Sequence, residues 1–111
     1  MFKQSDNAKL ELILKYIKDI KLIIKNHSTI ELTLSNTEGE YAIMMCIIQI
    51  GEVVNKISDE KIKEKMPTAK ITELRNRIVH GYEEVDKTII TEVLKSHIPQ
   101  LEITIMHLIG E

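Results

Sequence analysis

The sequence predicts an all-α fold, an antiparallel bundle of four main helices plus one short helix. Two observations carry that prediction. Only four glycines and two prolines occur in 111 residues, which leaves little turn chemistry for many short elements. Apolar residues recur at spacings of three and four over long stretches, the pattern of helices with a buried face. The length suits one helical domain, residues 1–111, with enough chain to bury a core and too little for two domains.

Ser5, Asp6 or Asn7 offers an N-cap for a first helix over 6–26. Leu10, Ile13, Leu14, Ile17, Ile20, Ile23 and Ile24 form its inner stripe, with Glu11, Lys15, Lys18, Asp19 and Lys25 outside. The connector "NHSTIELTLSNTEG" is expected to tuck Ile30, Leu32 and Leu34 against the core as a short alternating piece. A second main helix over 37–57 has a nearly all-apolar middle, so more than one face needs cover. It is either the central helix or part of a subunit interface, and the Met44–Met45 pair fits either role. Gly51 within it costs about 1 kcal/mol relative to Ala, which is tolerable where another backbone packs closely.

"SDEKIKEKMP" reads as a short capped helix stopped by Pro67, with its balanced charges on a solvated face. Thr68 can cap the next main helix. Asp86 can cap the last, over 87–108, with Ile90, Val93, Leu94, Ile98, Leu101, Ile105 and Leu108 inward. Pro99 removes a backbone donor there and predicts a kink.

Composition narrows the function classes. Hydrophobic residues at 43% and charged residues at 29% are ordinary for a globular chain. Aromatics make up only 4%, which argues against a base-stacking platform. The net charge of −2 means that any grip on nucleic acid is local rather than a bulk field. Cys46 stands alone, so neither a disulfide framework nor a cysteine zinc site follows, and a reducing cytoplasm is expected. The start "MFKQSDNAKLELIL" lacks the order of a signal peptide, and the apolar run over 41–48 is too short to span a bilayer. No membrane association is expected. With no glycine-rich phosphate loop, paired catalytic carboxylates or metal-ligand cluster, neither cofactor nor metal is expected.

The chemistry gathers in "LRNRIVHGYEEVD", Leu74 to Asp86. With Arg75 at zero and about 100° per residue, Ile71 and Ile78 fall near −40° and −60°, Leu74 near −100° and Val79 near +40°. Arg75 then points into the middle of the apolar arc. Asn76 and His80 share a strip at its edge, Arg77 faces away, and Gly81 can end the helix in a left-handed turn that places Tyr82 beside His80. A guanidinium in an apolar arc needs a partner, and Glu52 and Asp19 are the carboxylates at matching depth. One reading is structural: a buried ion pair at Arg75, a helix-end histidine and a core tyrosine, with His80 shut away. The other is a functional cluster, since polar groups that break a pattern are expected at sites.

"RNRIVHGY" resembles the Arg-X4-His-X-Tyr motif of the HEPN superfamily, in its HepT-like branch of prokaryotic toxins. "IIQIGEVVNKI" resembles that branch's second helix, where a Gly-Glu pair is typical, and "KEKMP" resembles the segment before the motif helix. The resemblance covers the chain from about Tyr41 to the last helix. Members often carry a tryptophan before the motif helix, where this chain has "TAKIT". It implies an all-α homodimer with the two motifs facing across a composite cleft, and metal-independent endoribonuclease activity on tRNA or mRNA. It also implies a minimal nucleotidyltransferase antitoxin that in some members adenylylates the motif tyrosine, here Tyr82.

On this resemblance Arg75 and His80 are the catalytic candidates, with Asn76 and Tyr82 supporting or positioning substrate. The chemistry fits. Histidine titrates near neutrality and serves as acid or base, while arginine binds phosphate bidentately and stays charged. Asn76 can orient the imidazole or hold the ribose, and Lys70, Arg77 and Lys56 supply a local positive rim. His27, His97 and His107 sit at neither metal nor motif spacing. An alternative function is a non-catalytic nucleotide- or partner-binding subunit of a nucleotidyltransferase complex.

Overall fold

In the computed structural model, which describes residues 4–110, capping chemistry sets most of the helix starts. The elements are α1 (Gln4–His27), α2 (Ile30–Ser35), α3 (Thr37–Lys56), α4 (Glu60–Lys65), α5 (Ala69–Gly81), a 3-10 turn (Tyr82–Glu84), α6 (Lys87–Glu92), a π turn (Val93–His97) and α7 (Ile98–Gly110). Asn36 Oδ1 accepts the Gly39 N–H to open α3. Asp59 Oδ1 accepts from Lys61 and Ile62 to open α4, and Asp86 Oδ1 accepts from Thr88 to open α6. Each such cap stabilises its helix by about 1 kcal/mol. Thr68 stands at the start of α5 without a side-chain cap bond; its carbonyl oxygen instead accepts from the Thr72 hydroxyl.

Asp6 does not cap its own helix. It lies inside α1, fully buried, and reaches across to the α3–α4 connection. Its Oδ1 accepts the Ser58 N–H at 3.0 Å and its Oδ2 the Asp59 N–H at 3.1 Å, and the Ser58 hydroxyl bonds to both oxygens. The Ser58 backbone N–H, helped by the Ser58 hydroxyl and Asp59 N–H, holds the carboxyl below its ordinary pKa although burial opposes this. Lys9 adds to the clasp by donating to the Lys56 carbonyl at 2.8 Å.

The connector after α1 is helical, not alternating. Thr29 Oγ1 accepts the Leu32 N–H and starts α2. Helical spacing then buries Thr33 and Leu34 while Leu32 turns out to solvent. A Cβ at position 39 would strike the Thr33 carbonyl oxygen, so α2 lies directly on the first turn of α3 because Gly39 has no side chain.

The core forms between α1, α3, α5 and the α6–α7 rod. Leu10, Ile13, Ile17 and Ile20 face Ile43, Ile47, Ile50, Ile71, Leu74, Leu101 and Ile105, all essentially out of solvent. Leu14, Ile23 and Ile24 flank this core partly buried. All seven inward residues expected of the last helix are buried. Pro99 does not break that helix. Its ring would meet the carbonyl four residues back, and the π turn at Val93–His97 widens the helix at that point, with the Ile98 N–H bonding to the Val93 carbonyl. The second face of α3 stays open: Met44 is buried, whereas Tyr41 and Met45 are 52% and 56% exposed. Among the described residues no helix is long and apolar enough to cross a membrane.

Candidate functional site

The buried arc of α5 is narrower than the sequence suggests. Ile71, Leu74 and Ile78 are buried, but Val79 is 51% exposed, so the arc centres on the Leu74 side and Arg75 stands at its margin. There the stem of Arg75 runs over Gly51 of α3. A Cβ on Gly51 would sit 2.8 Å from Arg75 Cγ and 3.0 Å from Arg75 Cβ. The missing methyl therefore admits a side-chain stem, not a neighbouring backbone. Glu52, the next residue, receives the head: Arg75 Nη2 donates to Glu52 Oε1 at 2.6 Å. Arg75 Nη1 donates to Asn76 Oδ1 at 2.9 Å, and Nε is buried with no hydrogen-bond partner among the described residues. Asp19, the other expected candidate, pairs instead with Lys15 one turn away on α1 at 2.9 Å.

His80 follows Asn76 by one turn and is exposed. It lines a shallow cavity of about 260 Å³ with Arg77, Gly81, Glu84 and Val85. Arg77 thus shares a cavity with His80 rather than simply facing away. Its guanidinium lies 3.6 Å from Glu73, and Lys70 lies 4.0 Å from the same side chain, so Glu73 partly offsets both rim cations. Lys56 is exposed at the end of α3. The purely structural reading required both an ion pair at Arg75 and an enclosed His80. Only the ion pair is present.

Gly81 does not adopt a left-handed conformation. Its φ of −177° is extended backbone, and a 3-10 turn follows directly. Tyr82, 48% exposed, meets Tyr41 of α3 edge-on, with ring centroids 6.0 Å apart and planes at 81°. Sequence spacing missed both this tyrosine pair and Glu84 in the His80 cavity. Glu84 carried a usable signal, four residues after His80; Tyr41 carried none.

The other histidines lie elsewhere. His27 Nδ1 is 2.9 Å from the Ile23 carbonyl oxygen, and His107 is exposed on α7. His97 lines a separate cavity of about 240 Å³ between α5 and the α6–α7 rod, with Lys70, Glu73 and Glu92. Among the described residues no three His, Cys, Asp or Glu side chains gather as metal ligands would.

The family model described as Ribonuclease HepT-like matches residues 13–108. Two proteins of Methanocaldococcus jannaschii, both provisionally named as RNases, are similar along most of their length. One is 35% identical over 105 residues, covering 92% of this chain and 85% of its own. The other is 34% identical over 105 residues, covering 92% and 89%. No solved structure matches the chain.

Proposed function

Because this chain belongs to the HepT-like ribonuclease family, we propose that it cleaves RNA at the end of α5 as the toxin of a cytoplasmic toxin–antitoxin pair. The observation that supports this most is the exposed imidazole of His80, one turn from Asn76, whose neighbour Arg75 is held by Glu52. Cleavage without a metal proceeds by attack of the ribose 2′-oxygen on the adjacent phosphorus as the bond to the 5′-oxygen breaks. One His80 takes the 2′-hydroxyl proton, Arg75 stabilises the charge on the phosphoryl oxygens, and a second His80 protonates the leaving 5′-oxygen. A single chain has one such histidine. A homodimer with the two α5 ends facing across a two-fold axis supplies both. The half-exposed Tyr41, Met45, Val79 and Tyr82 on α3 and at the α5 end give a second copy an apolar surface to cover.

The cognate antitoxin in this reading is a minimal nucleotidyltransferase acting on Tyr82. The phenolic oxygen attacks the α-phosphorus of ATP, pyrophosphate leaves and the phenolic proton passes to solvent or a base. Two experiments test the reading. Purified protein with EDTA is expected to cut a mixed-sequence oligoribonucleotide and leave 2′,3′-cyclic phosphate ends; intact RNA would refute it. Co-expression with the antitoxin is expected to add adenylyl mass to the wild-type chain and none to Tyr82→Phe. Equal mass gain in both would move the modification elsewhere.

Gly51→Ala tests the packing beneath the cation. The added methyl must displace the Arg75 stem, costing roughly 1–3 kcal/mol as overpacking, against roughly 1 kcal/mol regained in helix propensity. The net cost of about 0–2 kcal/mol is therefore expected to lower the melting temperature by no more than about 10 °C. Cleavage is expected to fall by about 100-fold, since a displacement of that size misplaces a reacting group.

A further inference from the structure

The hydrogen bonds around Arg75 decide what Asn76 can do. An arginine has donors only, so the carboxamide beside it must turn its oxygen inward, and Arg75 Nη1 takes that oxygen at 2.9 Å. The Asn76 amide nitrogen, with two N–H groups, is thereby directed away from Arg75 on an exposed side chain. Arg75 is held in turn by Glu52 through Nη2 at 2.6 Å, and its stem is seated over Gly51. Three side chains thus form one series across two helices, Glu52 to Arg75 to Asn76.

We propose that this series acts as a relay that presents the Asn76 N–H groups as donors to a phosphoryl or ribose oxygen of bound RNA, with Glu52 as its positioning residue. The inference rests on the ribonuclease reading and deepens it. The Asn76 oxygen is bonded to Arg75, and among the described residues it makes no hydrogen bond to His80. Donation to the neutral ring would occupy the lone pair that proton transfer needs. On an exposed side chain both donors are open to an oxygen of bound RNA. Glu52 is 40% exposed and Arg75 22%, and ion pairs so exposed contribute little to stability. The value of Glu52 therefore lies in orientation.

The test is a double-mutant cycle on cleavage of a fluorescent mixed-sequence oligoribonucleotide. Asn76→Ala and Glu52→Ala are each expected to lower kcat by about 100-fold, as loss of one preorganised donor does, with melting temperatures unchanged. Glu52→Gln keeps an acceptor for Nη2 and is expected to recover most of the loss. The double variant is expected to fall no more than about threefold below either single one, because the second change removes nothing still in place. Losses that multiply toward about 10,000-fold would overturn the relay. Imidazole-nitrogen NMR of free Asn76→Ala is expected to show the same His80 tautomer pattern as the wild type; a changed pattern would show that Asn76 binds the imidazole and overturn the proposal. Wild-type protein that leaves RNA intact overturns the ribonuclease reading and this inference with it. Cleaving wild type with multiplying losses overturns the relay alone.

Discussion

His80→Ala and Arg75→Ala are each expected to lower RNA cleavage by about 1,000-fold or more, while the protein melts near the wild-type temperature. General acid–base catalysis contributes typically about 100- to 10,000-fold, and electrostatic stabilisation of a developing phosphorane is of comparable size. His80 lies outside the core, and of Arg75 only the stem is packed, over Gly51. His80 is exposed, so truncating it creates no cavity. Removing Arg75 leaves Glu52 without its partner, but that carboxylate is 40% exposed and water can hydrate it, unlike a fully buried charge. Circular dichroism and thermal melting then separate lost chemistry from lost fold. Wild-type cleavage rates in both variants would remove the α5 end from the mechanism.

Asp6→Ala is expected to act in the opposite way, on stability and not on chemistry. It deletes the carboxylate that receives two backbone N–H groups and a hydroxyl from residues 58 and 59. A bond to a charged acceptor is worth about 1.5–3 kcal/mol, but Ser58 is exposed, so water replaces much of what its donors lose. A total near 3 kcal/mol lowers the melting temperature of a chain this size by about 10–20 °C. The pH dependence has a definite sign. Because the folded carboxyl titrates below its ordinary value, the unfolded chain takes up the proton first on acidification. The stability from Asp6 is fully present above about pH 4 and is lost as pH falls through the lowered folded value. Chemical denaturation at neutral pH and near pH 3 checks this: the gap between wild type and Asp6→Ala is expected to shrink in acid. A constant gap would mean that the carboxylate charge contributes nothing.

The architecture was legible because it depends on short-range periodicity. The stripes on α1 and α6–α7 were readable residue by residue, and their central members fill the core. What failed to read depended on partners remote in sequence. Asp6 looks like a helix cap in isolation, and its true partners lie 52 and 53 positions away. The connector misled because Leu32 and Leu34 alternate in sequence, whereas the Thr29 cap commits them to helical spacing. Pro99 signals a distortion, but sequence does not say that one widened turn absorbs it. At the candidate site, the helical wheel turned Arg75 inward, and Glu52 and Asp19 were the carboxylates at matching depth on other helices. Choosing between them required the packing of α3 on α5 and the rival claim of Lys15 on Asp19. Val79 shows the limit of counting apolar residues: it lies just past the edge of what α3 covers.

The notch at Gly51 has a consequence for ionic strength. The Glu52–Arg75 pair is open enough to solvent that counter-ions weaken it as salt rises. Steric exclusion has no such sensitivity. The Arg75 stem rests within 3.0 Å of where a Cβ on Gly51 would be, so α3 and α5 cannot slide along one another without driving backbone into it. The depth of the cation is therefore set by a hard stop, and only its head is set by charge. In brine the guanidinium would loosen at its tip while keeping its place on the helix.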